Sequence, residues 1–185
     1  MMSRDRRPAL AVSLRLSGRS ALVVGTGEGA DERSSRLRAA GAAVRQIAPD
    51  EYETDMCGGV FLAVAQTDDP SVDRQIAADA RAAGALVYAH DQPAVSDFAF
   101  PALVRRGPLS LTIASDGVAP ALARRMREEI ARLFEDAGPA LDHLLEVLAA
   151  ERAAAAPGAE RAERLYELAC RLHFAGRLVV ERSDS

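Results

Sequence analysis

The chain has no lysine: all 23 of its basic residues are arginine. That absence excludes Schiff-base chemistry on a lysine amine and leaves guanidinium forks as the strong cationic donors. Cysteine is scarce as well. Cys57 and Cys170 stand far apart and match no metal or redox spacing. No apolar run approaches the ~20 residues of a membrane span. Behind the charged N-terminus, Ala9 to Leu16 is too broken an apolar stretch for a secretory signal. The net charge of −4 argues against nucleic acid as the main partner. There is no internal repeat and no extended low-complexity segment. These absences lead us to expect a soluble, reduced, cytoplasmic protein with no membrane association. At 185 residues, 49% of them hydrophobic, the chain can bury a full core, and one main domain plus a smaller helical one is the natural division.

What is present is concentrated near the start. Ala21 to Val24 is apolar and β-branched, as a buried parallel strand should be, and runs straight into Gly25-Thr26-Gly27-Glu28-Gly29-Ala30. Gly25 and Gly27 allow a sharp turn and a close backbone approach to a pyrophosphate. Ala30 supplies the small residue on which a helix packs against its strand. A helix from Ala30 to Ala40 would present its N–H groups and dipole to phosphates. This pattern points to NAD as the cofactor. A second apolar stretch, Ala42 to Ala48, ends in Pro49-Asp50, near the ~20-residue offset of a ribose-binding acid. Asp50 there disfavours the extra phosphate of NADP; as a solvated loop acid it would have no such role.

Strand and helix then alternate. Val60 to Ala65 is a strand ending in Gln66-Thr67-Asp68-Asp69-Pro70, Pro70 to Ala83 a helix capped by Thr67 or Asp69, and Leu86 to Ala89 a strand running into His90-Asp91. The fold class expected is α/β, a Rossmann-like doubly wound parallel sheet followed by a helical C-terminal region. Ligands on such sheets sit outside the carboxyl ends of the strands, where the glycine turn, Pro49-Asp50, Thr67 to Asp69 and His90-Asp91 all fall. Further on, Phe98 to Val104 and Leu109 to Ala114 read as a hairpin. Leu122, Met126, Ile130 and Leu133 make one apolar stripe on a helix. Further helices are expected over Leu141 to Ala154 and Glu160 to Phe174. His143 and His173 lack partner ligands, and no protein metal site is expected.

The chain resembles the precorrin-2 dehydrogenase/sirohydrochlorin ferrochelatase family, the dehydrogenase–chelatase module of siroheme synthases. The resemblance rests on Leu-Val-Val-Gly-Thr-Gly (22–27), Ala-Gln-Thr-Asp-Asp-Pro (65–70), Asp-Phe-Ala-Phe-Pro-Ala-Leu-Val-Arg-Arg-Gly-Pro-Leu (97–109) and Ala-Pro-Ala-Leu-Ala-Arg-Arg-Met-Arg-Glu-Glu-Ile (119–130). It implies an NAD-binding domain over 1–112, a dimerisation region over 113–140 and a helical C-terminal domain over 141–185, in a homodimer. It places dinucleotide contacts at Glu28, Gly29, Pro49 and Asp50, and makes Asp91 the aspartate on which dehydrogenation and metal insertion both depend. It implies NAD-dependent oxidation of precorrin-2 to sirohydrochlorin, with ferrous iron as a further co-substrate.

A carboxylate beside the macrocycle suits a reaction that removes protons along with a hydride, and His90 could serve as its proton partner. The tetrapyrrole is a polycarboxylate, so Arg105, Arg106 and Arg124 are candidate substrate contacts; Arg124 can equally pair with Glu128. The chain departs from the family at Thr26, Gly29 and Glu32, in place of Gly, Val and Arg. Tyr88 and Asp73 each replace an Asn, and the connection from Pro49 to Gly58 is short and lacks a strand. Two other readings remain open: a tetrapyrrole chelatase that has abandoned NAD, and a non-catalytic tetrapyrrole- or NAD-binding module.

Overall fold

Four short strands, β1 (Ser20–Val24), β2 (Ala43–Ile47), β3 (Leu62–Ala65) and β4 (Leu86–Ala89), form a parallel sheet in the order β2-β1-β3-β4 in the computed structural model, which describes residues 9–173. Helix α1 (Glu28–Ala39) carries the chain from β1 to β2, and α2 (Pro70–Ala82) carries it from β3 to β4. Side chains alternate across a strand, so each central strand feeds two cores. Ala21, Val23, Leu62 and Val64 pack on the α1 side with Ala30 and Leu37. Leu22, Val24, Ala63 and Ala65 pack on the α2 side with Ile76, Ala77 and Ala80. This is the doubly wound sheet expected from the alternating pattern. The order reverses between β1 and β3, so the topological switch point lies where Val24 and Ala65 end side by side.

The described chain divides into two compact units, one running to Phe100 and the other beginning at Pro101. The sequence-based boundary at 112 therefore falls inside a strand of the second unit. That unit opens with the antiparallel hairpin of β5 (Ala102–Arg106) and β6 (Leu109–Ile113), with Arg106 opposite Leu109 across Gly107-Pro108. Helix α3 (Pro120–Ala154) follows. It is broken at Gly138, whose φ of 35° and ψ of −123° are not helical. Pro139 explains the break: its ring disfavours helical geometry in the residue before it, and glycine alone takes the positive φ freely. Helix α4 (Ala159–Ala169) completes the described fold.

Two expected elements are shorter than the sequence pattern implied. The strand read from Phe98 begins only at Ala102, because the rings of Phe98 and Phe100 turn onto Tyr88, with centroids 6.0 and 5.1 Å away. The last helix ends at Ala169 rather than at 174, and Phe174 lies outside the described residues. In the short connection after β2, Thr54–Cys57 forms one 3-10 turn where no strand was expected.

Within the second unit, Arg106 Nε and Nη2 donate to the two carboxylate oxygens of Asp142 at 2.7 and 2.6 Å, tying β5 to α3. The guanidinium holds the Asp142 carboxyl below its ordinary range. A carboxyl with a depressed folded-state pKa stabilises above its unfolded pKa and loses that contribution as pH falls through the folded value. The melting temperature of the wild type should therefore exceed that of Asp142→Asn near neutrality. The two should converge as pH falls below the ordinary carboxyl range, where the carboxylate protonates. Thermal melts of both proteins across that range check it.

Candidate active site

The glycine turn at the end of β1 is built by contacts on both sides. Gly25 has φ +150°, and a Cβ there would lie 2.1 Å from the backbone oxygen of Gln66. Glycine is what lets the ends of β1 and β3 close, with Gln66 N–H donating to the Val24 carbonyl at 2.9 Å. Gly27 has φ +80°, with nothing within 4 Å of where its Cβ would point. The backbone is thus bare toward open space at the foot of α1, whose first residue is Glu28. Gly27 caps no N–H of α1 with a side chain, so the amino-terminal donors of that helix face this space. Thr26, Gly27 and Glu28 are all exposed around it.

Gly29 is governed by a different neighbour. A Cβ there would meet the Gln66 side-chain nitrogen at 1.9 Å, so Gln66 fills the volume beside Gly29. Gln66 Oε1 and Arg33 Nε are buried atoms without a hydrogen-bond partner among the described residues. Arg33 Nη1 donates to the Gly29 carbonyl at 3.1 Å, so both residues border the turn. An unfilled acceptor and an unfilled donor beside exposed helix N–H groups and a bare Gly27 are what a dinucleotide would complete. The residues present fit that group. Gln66 stands in the Ala-Gln-Thr-Asp-Asp-Pro stretch that carries the resemblance, directly after β3 at the switch point, but nothing in the sequence singles out its side chain or that of Arg33.

The acids of the turn are accounted for. Asp31 accepts from Gln46 Nε2 at 2.8 Å. Glu32 is exposed and lies 3.8 Å from Arg36, one helical turn along α1, which directs it along the helix surface. Half-burial lowers the Arg36 pKa from its ordinary value, and Glu32 acts in the opposite sense. Pro49 and Asp50 stand in a 3-10 turn just beyond β2, with Asp50 exposed and Glu51 bonding back to the Ala48 N–H.

At the end of β3, Thr67 is a positioned residue. Its N–H and Oγ1 both donate to Asp73 Oδ1, at 2.8 and 2.9 Å, and Asp73 is 2% exposed. Asp69 caps α2 through Ser71 N–H, and the Ser71 hydroxyl foremost, with that N–H, lowers its carboxyl pKa. Asp68, between them, is exposed. Asp73→Ala would leave the buried Thr67 N–H unpaired and should cost about 1–3 kcal/mol. Asp73→Asn keeps an acceptor oxygen and should cost less than half as much. Urea unfolding of the two variants checks this.

Beyond β4, Asp91 stands in the left-handed region, with φ 51°. Only a short polar side chain or glycine takes that conformation readily, and such strain gathers where the surrounding structure imposes it. The imposition is visible. The segment after Asp91 is stitched to the free edge of β4: Asp97 Oδ2 accepts from Val87 N–H at 3.0 Å, and Ser96 Oγ accepts from Ala89 N–H at 3.0 Å. Arg81 clamps Asp97 at 2.8 Å. The Asp91 carboxylate is itself 91% exposed, with His90 Nε2 3.7 Å away. It is a free carboxylate on a fixed backbone.

The proposed substrate arginines all lie in the second unit. Arg106 is bound to Asp142, and also donates to the Phe134 carbonyl at 2.9 Å. Arg105 donates to Ser110 Oγ at 3.2 Å. Arg124 pairs with Glu128 at 3.3 Å while remaining 79% exposed. Among the described residues no group of three or more His, Cys, Asp or Glu side chains is placed to hold a metal ion, and no helix is long and apolar enough to cross a membrane.

Fold and turn together define an NAD(P)-binding domain of the Rossmann-like class, and residues 12–102 match the putative NAD(P)-binding family. Residues 106–133 match the sirohaem biosynthesis protein central family. These two matches, in this order, are in keeping with the resemblance to the precorrin-2 dehydrogenase/sirohydrochlorin ferrochelatase family. Siroheme synthases of Chromobacterium violaceum and Ectopseudomonas mendocina are 36% and 37% identical to it, over 66% and 63% of this chain. The matched stretches cover only 30% and 29% of those proteins, so the chain spans under a third of their length. The solved structure of SirC, precorrin-2 dehydrogenase, shares the fold with a TM-score of 0.69 at 24% identity, covering 86% of this chain and 89% of that one.

Proposed function

We propose that the protein is an NAD-dependent dehydrogenase that oxidises precorrin-2 to sirohydrochlorin in siroheme biosynthesis. The observation that carries this reading is Asp91: an ionisable, solvent-facing carboxylate on a strained backbone at the carboxyl end of the sheet that holds the nucleotide turn. The match to the sirohaem biosynthesis central family and the siroheme synthase relatives suggest the substrate class.

Gly25, Thr26, Gly27, Glu28, Gly29 and Ala30 would hold the pyrophosphate at the foot of α1, with Pro49-Asp50 toward the ribose beyond β2. Gln66, Thr67 and Asp68 would border the nicotinamide end at the switch point. NAD⁺ bound there supplies the acceptor for the hydride. Asp91, as general base, takes a proton from the macrocycle, a role worth typically ~10²–10⁴-fold in rate. His90 stands behind it. Arg105, Arg106 and Arg124 are proposed contacts for substrate carboxylates, to which guanidinium forks bind bidentately. Ferrous iron is a proposed second substrate, because the tetrapyrrole supplies its own ligands and Asp91 could accept the pyrrole protons.

The exposed Leu122 and Leu133 of α3 support a homodimer, since a second copy would cover them. A cytoplasmic location accords with the reduced cysteines and with the pathway. Purified protein given precorrin-2 and NAD⁺ should form NADH and the sirohydrochlorin spectrum in equal amounts. Absence of turnover with both NAD⁺ and NADP⁺ would reject the reading. Iron insertion into sirohydrochlorin without nucleotide would then favour the chelatase alone.

A further inference from the structure

We infer that Tyr88, a residue with no assigned role, is a positioning residue that sets the proton arrangement of His90 and through it the bearing of Asp91. The inference about catalysis rests on the function proposed above; the inference about the proton does not.

Tyr88 lies on β4 and His90 directly follows the strand's last residue, two positions on, where the alternation of the strand carries its side chain to the same side. Arg33, on α1, crosses to meet them. Its Nη2 lies 3.0 Å from the Tyr88 hydroxyl, and its guanidinium sits 5.1 Å from the centroid of the Tyr88 ring. The Tyr88 hydroxyl lies 3.3 Å from His90 Nδ1. His90 Nε2 in turn faces Asp91 Oδ2 at 3.7 Å.

The donors decide the order. A guanidinium can only donate, so the Tyr88 oxygen accepts from Arg33. Its own proton is then free to go to His90 Nδ1, which must accept it unprotonated. A neutral imidazole with Nδ1 accepting carries its proton on Nε2. That N–H is on the nitrogen that lies 3.7 Å from the Asp91 carboxylate, just beyond hydrogen-bond distance. Arg33 also holds the Gly29 carbonyl through Nη1. The line from nucleotide turn to carboxylate is therefore Gly29, Arg33, Tyr88, His90, Asp91. An asparagine at position 88, as the resembling family commonly has, is too short to span from Arg33 to the imidazole.

The test is the tautomer of His90 in the protein labelled with ¹⁵N-histidine, read from imidazole nitrogen shifts above the histidine titration range. The chain has three histidines, and the set missing from His90→Gln identifies this one. The wild type should show Nε2–H in roughly tenfold excess or more, a ratio that one ordinary hydrogen bond sustains. Tyr88→Phe keeps the ring packing but loses the hydroxyl, and the excess should fall to the intrinsic tautomer preference of an unbonded histidine, measured on a histidine peptide. A wild-type His90 carrying its proton on Nδ1 overturns the inference, as does an unchanged ratio in Tyr88→Phe. The wild-type measurement stands even if that variant does not fold.

Under turnover, Tyr88→Phe should lower kcat roughly tenfold and leave the KM for NAD⁺ within about twofold. An unchanged kcat overturns the catalytic part. If the wild type shows the Nε2–H form but no turnover, the dehydrogenase reading fails and the proton assignment survives.

Discussion

Asp91→Asn should lower precorrin-2 oxidation roughly 10²–10⁴-fold, the usual contribution of a positioned general base, while NAD⁺ affinity stays within about twofold. Asparagine is the informative replacement because it too tolerates the left-handed backbone that Asp91 adopts at φ 51°. Loss of rate would then report the carboxylate and not a rearranged loop. The side chain is 91% exposed, so its exchange leaves the core intact. The anchors of the following segment, Ser96 and Asp97 on the edge of β4, are untouched by the change. Steady-state kinetics with a calorimetric NAD⁺ titration check both halves. An Asp91→Asn enzyme with wild-type kcat would remove Asp91 from the mechanism.

Gly25→Ala should destabilise the protein by about 3 kcal/mol or more, in the range of severe backbone and overpacking effects. The new methyl would stand 2.1 Å from the Gln66 carbonyl oxygen and 2.9 Å from its carbon, both backbone atoms that no side-chain rotation can move. Relief requires the ends of β1 and β3 to part, which lengthens the Gln66 N–H bond to Val24. For a chain of this size the melting temperature should fall by roughly 6–12 °C. Gly27→Ala is the contrast. Its methyl meets nothing within 4 Å, so the stability cost is the strain of its φ 80°, ψ 180° backbone alone, about 1–3 kcal/mol. It would nonetheless point into the nucleotide space and weaken NAD⁺ binding. One glycine closes the sheet and the other leaves room for a ligand. Thermal melts and nucleotide titrations of the two variants should separate these roles.

The sheet was legible in the sequence because its strands are short, apolar and punctuated. Gly25 follows β1, Pro49 follows β2, and Pro70 opens α2, each where the backbone changes course. The carboxyl ends of the strands could therefore be located before any contact was known. The strand wrongly extended back to Phe98 shows the limit of period-two reading. Phe-Ala-Phe alternates as a half-buried strand should, but the rings find Tyr88 and each other, at 5.4 Å between Phe98 and Phe100, instead of a ladder partner. Long-range side-chain partners were equally invisible. Arg106 and Asp142 are 36 residues apart, and Arg33 and Tyr88 are 55 apart. Local spacing carries no record of either pair. Gln66 illustrates the same point at the site itself: only the folded sheet shows that its side chain occupies the space beside Gly29.

The pyrophosphate turn and Asp91 lie in the same unit, and the account requires one ligand to reach from the first toward the second. Amide and imidazole NMR of the labelled protein titrated with NAD⁺ tests that most directly. The account predicts saturable shifts at Gly25, Gly27, Gly29 and Gln66, with further shifts at Thr67 and His90, at one nucleotide per chain. Saturating NAD⁺ that leaves the signals of the glycine turn and of His90 unmoved would contradict it.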